Sequence, residues 1–189
     1  MSKAVLISIK PKWCEKIVNG NKTIEVRKTR PKMDTPFKCY IYCTLPKYPH
    51  EDFIATNYPR PQFYGGGKVI GEFTCDQIID AWWDYVPDAI TREVAGGNLE
   101  ALDGTGMTDE ELFSYVGDSM RGHCYGWHIT DLRIYDALRE LSEFRRACPN
   151  SWYCESCAMY WENNGTCGNE SLQFKRAPQS WCYVEEVRA

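Results

Sequence analysis

A cation, an acid and a second cation, Lys22, Glu25 and Arg27, stand at fixed spacing in a strand–helix–strand pattern near the N-terminus. Leu6-Ile7-Ser8-Ile9-Lys10-Pro11 reads as a short strand ending at a helix start. Proline suits the first helical turn, where its missing N–H costs nothing. Trp13, Ile17 and Val18 recur at helical spacing, and Gly20 is a good C-terminal stop. The chain then turns through Lys22 into Thr23-Ile24-Glu25-Val26-Arg27, a second strand. A strand alternates its faces with period two, so Glu25 and Arg27 share one face. Lys22 enters that strand, and Lys10 lies where the first strand meets the helix. A strand–helix–strand unit of this kind can gather charges of mixed sign at one end of a small sheet.

The rest of the chain is strand-rich. Phe37–Thr44 alternates apolar and polar residues and predicts a third strand. Residues 45–66, rich in Pro, Tyr and Gly, predict a long loop. Lys68–Cys75 predicts another strand, entered through Gly65-Gly66-Gly67. That triple glycine lacks Gly-Lys-Ser/Thr and a following helix, so it is a hinge and not a phosphate loop. Gly71 inside the strand marks a bulge or the close approach of another element. Residues 76–122 read as an acidic insertion with two helices, the second opening on the capping box Thr108-Asp109-Glu110-Glu111. Between them Gly96-Gly97-Asn98 to Gly104-Thr105-Gly106 is loop. Strand pattern resumes over Tyr125–Asp131 and Leu132–Tyr135, and Pro178–Val184 reads as a closing strand.

Gly20-x-Lys22-x-x-Glu25-x-Arg27 resembles the motif of the ASCH family, small PUA-like β-barrels associated with RNA. The late strand and the closing strand resemble those of ASCH-like proteins found in bacteria and phages. The matching pieces cover roughly residues 4–44, 67–75, 124–144 and 176–186. The resemblance implies an α+β fold: a small mixed β-barrel with flanking helices, one domain over residues 1–189. The helical insertion at 76–122 and a cysteine-rich appendage at 145–175 would lie within it.

Charge and cysteine usage narrow the function. The net charge of −4 speaks against indiscriminate nucleic-acid binding. Its distribution is uneven: residues 1–48 hold 11 Lys/Arg and 3 Asp/Glu, whereas the remainder holds 11 and 23. A basic N-terminal third can present a phosphate-attracting patch, or merely solvated lysines. No apolar run reaches the roughly 20 residues that span a bilayer, and the N-terminus does not read as a signal peptide. Among ten cysteines, Cys14, Cys39, Cys43, Cys75 and Cys124 fall in the expected barrel and read as small core residues. That usage predicts a reducing, cytoplasmic setting.

Cys148-x5-Cys154-x2-Cys157-x9-Cys167 is the second marked signal. A Cys-x-x-Cys turn delivers two thiolates to one metal, and two flanking cysteines complete a tetrahedral site. The surrounding sequence is polar, so a structural zinc ion would supply stability that its own core lacks. An iron–sulfur cluster and unligated or disulfide-forming thiols remain alternatives, and Cys182 competes for a ligand place.

For the charged cluster the expected ligand is RNA or a nucleobase-containing molecule. Glu25 would accept from a base N–H, while Arg27, Lys22 and Lys10 would donate to carbonyl or phosphate oxygens. Trp127, Tyr64 or Trp13 would offer a stacking face, with Trp127 preferred. A plain ion pair of Glu25 with Arg27 or Lys22 is the structural alternative. The resemblance also implies catalytic readings. In ASCH amidohydrolases acting on acylated cytidine, the lysine matches Lys22, while Glu25 stands where their threonine nucleophile falls. Other members are ribonucleases, which would make Glu25 a general base beside Lys10 or Arg27, with His128 as another base. Lys22 and Glu25 are thus the catalytic candidates. A third reading is a protein-interaction module docking through the acidic insertion and the appendage.

Overall fold

The computed structural model describes residues 3–47, 53–54, 63–85, 94–117, 121–148, 156–164 and 167–187. The first unit is as the spacing predicts: β1 (Lys3–Ile9), α1 (Pro11–Val18) and β2 (Ile24–Arg27), followed by β3 (Phe37–Cys43). Two short strands, β4 (Phe53–Ile54) and β5 (Phe63–Tyr64), pair only with each other, in the stretch expected to be loop. Two long strands then dominate, β6 (Lys68–Tyr85) and β8 (Arg121–Glu140). Between them lie β7 (Val94–Gly97) and α2 (Asp109–Val116); after them come α3 (Ala158–Glu162) and β9 (Trp181–Glu185).

The main sheet runs β2-β8-β6-β3-β1-β9, with β7 on the far end of β6. β1 and β3 are parallel, from Val5 opposite Cys39 to Ile9 opposite Cys43, and the other pairs are antiparallel. The sheet is mixed, as expected, but it is not a closed barrel. β2 and β9 remain its two edges. The physical reason lies in the chain after β2, which leaves the strand direction after four residues and passes through Pro31, which has no N–H to donate. Side chains bridge the gap instead. Trp181 Nε1 donates to Thr29 Oγ1 at 3.0 Å, and the Lys32 N–H donates to the Tyr183 hydroxyl at 2.6 Å.

A central strand with both faces covered must be largely apolar, and β1 is from Ala4 to Ile7. Val5, Ile7 and Ile9 pack with Cys14 and Ile17 of α1, while Ala4 and Leu6 pack on the opposite face with Tyr40, Phe144 and Phe174. Cys14, Cys39, Cys43, Cys75 and Cys124 are all fully buried, as small core residues should be. Burial raises the Cys14 and Cys39 thiols well above their usual range and Cys75 to about 12.

The expected insertion at 76–122 needs correction at its start. Residues 76–85 are not helical; they continue β6 along β8 to Asp84 opposite Arg121. Their period is two: Ala81 and Trp83 are buried, while Asp80 and Trp82 are exposed. Bulges let so long a pair bend, and one sits at Gly71. A Cβ there would lie 2.4 Å from the Arg133 carbonyl oxygen, so the close approach implied by the sequence is real. Of the two expected helices, the second is present as α2. Thr108 Oγ1 accepts from the Glu111 N–H and Glu111 returns the bond, the capping box read in the sequence. The first is not seen among the described residues, where β7 precedes a single 3-10 turn at Leu99–Leu102; residues 86–93 lie outside them. α2 and that turn cover a third core of Ile24, Val26, Trp83, Leu102 and Leu112.

The segment 145–175 is tied to the sheet at both ends. Arg146 bridges to Val184, Arg145 bridges to Gln173, and Phe174 packs into the second core. Among the described residues no helix is long and apolar enough to cross a membrane.

Candidate functional site

The end of β1, the start of α1 and β2 surround a cavity of about 290 Å³. Ser8, Ile9, Lys10, Trp13, Glu25, Val26 and Arg27 line it, together with Lys22. Thr44 after β3, Met107 and Tyr115 from the insertion, and Gln179 and Ser180 before β9 complete the wall.

Glu25 sits at its centre, 5 % exposed, between two cations that are themselves buried. One carboxylate oxygen lies 2.8 Å from Arg27 Nη2 and the other 3.3 Å from Lys22 Nζ. Arg27 Nη2 also donates to the Ser8 carbonyl at 2.7 Å. Arg27 Nε is buried with no partner among the described residues. An unsatisfied donor beside a cavity is an opening for a ligand acceptor. Tyr115 stands against the same guanidinium; burial raises its hydroxyl pKa, and the Arg27 charge pulls the other way.

Lys22 has a different place from the one its position in the motif suggests. Its ammonium group carries three donors. They go to the Ile24 carbonyl at 2.7 Å, the Thr105 carbonyl at 2.7 Å and Glu25. Burial holds Lys22 below the ordinary lysine range, and the Glu25 carboxylate opposes that shift. Its role is therefore to fasten the 104–107 loop to β2. Lys16 Nζ does the same through the Gly106 carbonyl, and the Gly104 carbonyl accepts from the Thr23 and Ile24 N–H groups. Lys12 completes the attachment, donating to Glu111 at 2.8 Å and lowering its pKa. The insertion is thus a wall of the cavity, held there by three lysines.

Four of the five sequence candidates, Lys10, Lys22, Glu25 and Arg27, line one cavity. Trp127 does not. It lies opposite Glu25 on β8, but its ring is fully buried against Phe37 and Trp181, so it offers no stacking face. The neighbouring rings that pack over it are the reason. Trp13 and Tyr115 are the cavity's aromatic residues instead, and Lys12, Lys16 and Lys22 all approach the Trp13 ring within 5.2 Å. The Tyr64 side chain lies outside the described residues. Ser8, Met107, Tyr115 and Ser180 were not legible as site residues. The Gly104-Thr105-Gly106 run was the one available signal, with φ of 97° and 65° at its glycines. Ser8 Oγ donates to the Pro178 carbonyl at 2.6 Å. His128 is away from the cavity, its Nδ1 2.7 Å from Asp76.

Of the four cysteines proposed as metal ligands, Cys154 lies outside the described residues. Cys148 is half-buried, Cys157 exposed and Cys167 buried. Among the described residues no three His, Cys, Asp or Glu side chains group closely enough to hold a metal ion.

No protein-family model matches this sequence, and no curated protein matches it either. Solved structures do. The crystal structure of an ASCH protein from Zymomonas mobilis is 14% identical with a TM-score of 0.52, over 97% of this chain and 88% of that one. Its tyrosine-to-phenylalanine mutant is 14% identical with a TM-score of 0.53, over 98% and 92%. At such identity the likeness speaks for the fold alone: the chain has an ASCH-domain fold.

Proposed function

We propose that this protein binds RNA or a nucleobase-containing ligand in the cavity between α1 and β2. The observation that carries the reading is the buried Lys22–Glu25–Arg27 triad beside a cavity of about 290 Å³. Small-molecule sites start at roughly 300 Å³, so the space suits a base or a nucleoside and not a large cofactor. Burying three charges has a desolvation cost that apolar residues would avoid. Such a cluster in a cleft is a candidate recognition site. Glu25 accepts from a base amino or imino group, Arg27 Nε donates to a base oxygen or ring nitrogen, and Trp13 or Tyr115 covers the base face. Lys10, exposed at the rim, faces a phosphate or sugar. The insertion belongs to this site, which favours ligand binding over the protein-docking alternative. The test is calorimetric titration with the four ribonucleosides and with mixed-sequence RNA hexamers, followed by product analysis. Saturable binding without turnover is expected. Glu25→Gln weakens it by about 1–3 kcal/mol. Cleaved RNA or hydrolysed N-acylcytidine would turn the reading toward a hydrolase, with Glu25 in the reaction. No binding to any of these would overturn it.

The same proposal gives the cysteine-rich segment a structural zinc ion held by Cys148, Cys154, Cys157 and Cys167. Two details support it. Cys157 directly precedes α3, and Gly168, next to Cys167, packs on that helix: a Cβ there would lie 3.0 Å from the Met159 carbonyl oxygen. The chain next to Cys167 thus lies against the helix that follows Cys157. Elemental analysis is expected to find about one zinc per chain. A sample without stoichiometric metal would overturn this, and a brown one would replace zinc with an iron–sulfur cluster.

A further inference from the structure

The chain just past β2 forms a second concavity, distinct from the cavity. Lys28, Thr29, Arg30, Pro31, Lys32, Met33, Asp34 and Tyr125 line a groove of about 540 Å³. Its chemistry is one-sided. Lys28, Arg30 and Lys32 are all exposed, with one acid, Asp34, among them. The groove meets the cavity edge to edge. Arg27 lines the cavity and Lys28 the groove, and Lys28 Nζ stands 5.5 Å over the ring of Tyr115, a cavity residue. On the other side Arg30 lies 5.7 Å from the ring centre of Tyr125, which pairs with Arg27 across β2 and β8. The loop itself is fixed at both Thr29 and Lys32 by Trp181 and Tyr183. Three cations are thus held on an anchored backbone beside a base-sized hole, and an aromatic ring lies among them.

We infer that the groove of residues 28–34 is a phosphate track, and that the ligand of the cavity is one nucleotide of a single-stranded polynucleotide. This deepens the function proposed above and rests on it for the cavity's occupant. A free nucleoside leaves the three cations with Asp34 as the one acid lining the groove. A strand whose base enters the cavity carries its next phosphates along Lys28, Arg30 and Lys32, where Tyr125 offers a face to the neighbouring base. The aromatic residues favour a strand over an acidic peptide: Trp13 and Tyr115 line the base-sized cavity and Tyr125 the groove, faces on which successive bases stack. The groove also explains how a chain of net charge −4 attracts a polyanion: the local field, not the total, steers the encounter.

The test compares the wild type with Lys28→Glu/Arg30→Glu/Lys32→Glu, using fluorescein-labelled single-stranded RNA hexamers and, separately, the four ribonucleosides. Circular dichroism checks folding, and Arg30→Gln/Lys32→Gln serves as the milder variant should the triple fail to fold. Hexamer affinity is expected to fall at least 30-fold in the triple variant. Each lost phosphate contact makes the slope of log K on log salt shallower by about 0.7, so its magnitude falls by about 2. Nucleoside affinity stays within two-fold. Unchanged hexamer affinity and slope in the variant would overturn the phosphate track while leaving the cavity reading intact. Loss of hexamer binding in a protein that binds no nucleoside would keep the track and overturn the cavity's role. Equal competition by a ten-residue polyglutamate would overturn it in favour of an acidic peptide.

Discussion

Glu25→Ala lowers the folding free energy by about 3–5 kcal/mol, read as a reduced urea midpoint at unchanged slope. The size follows from what is left behind. Lys22 and Arg27 are 2 % and 7 % exposed, and Glu25 is the carboxylate that both contact. Removing it leaves two buried cations facing each other without compensation. Glu25→Gln costs less, because the amide oxygen still accepts one of the two bonds. Replacing the whole triad by Lys22→Met/Glu25→Leu/Arg27→Met recovers part of the loss: the buried charges are gone, but the Ile24, Thr105 and Ser8 carbonyls lose their donors. A triad whose apolar replacement is more stable than Glu25→Ala, yet loses ligand binding, is there for recognition. Should Glu25→Ala cost under 1 kcal/mol, cavity water already solvates the two cations. The cluster would then be an ordinary hydrated surface pair.

How much of this was legible in the sequence depends on the range of the contacts. Lys22, Glu25 and Arg27 fall within six residues, and strand periodicity alone places Glu25 and Arg27 on one face. The elements β1, α1 and β2 were legible from the same local unit. Contacts across a hundred residues were not legible in the same way. Tyr115 reaches Arg27 because α2 is drawn in by Lys12, Lys16 and Lys22, and no local pattern encodes that. Trp127 was misread for a related reason. Its position opposite Glu25 follows from the strand pairing, but the Phe37 and Trp181 rings that bury it come from distant strands. The end of β6 was misread because Asp76, Asp80 and Asp84 look like solvated insertion. They are the outer face of a strand whose inner face is Ala81 and Trp83. The open edge between β2 and β9 was not legible either, because it depends on the loop after β2, where side-chain bonds to Trp181 and Tyr183 stand in for a ladder.

Lys22→Met separates a lysine that touches ligand from one that builds the wall. The methionine keeps the aliphatic stem and loses the ammonium group. Two buried carbonyls, those of Ile24 and Thr105, lose their lysine donor, and Glu25 loses one of its two cations. The 104–107 loop then opens more readily, and hydrogen exchange at Thr105, Gly106 and Met107 is expected to speed up by roughly 30- to 1,000-fold. That corresponds to about 2–4 kcal/mol of lost local stability. Exchange in β1 and β3 changes far less, because neither strand bonds to Lys22. Ligand affinity falls with the loop, but its salt dependence keeps the wild-type slope, since no ligand phosphate lies on Lys22. If instead Lys22 bonds a phosphate directly, the slope drops by about 0.7 while exchange at 105–107 stays as in the wild type. That result would return Lys22 to the ligand-contacting role its place in the motif first suggested. Lys16→Met is the companion measurement: it removes the second cation that fastens the same loop, through the Gly106 carbonyl. Its effect on exchange is expected in the same three residues and weaker, because Lys16 makes no ion pair with Glu25 and lies nearer to solvent.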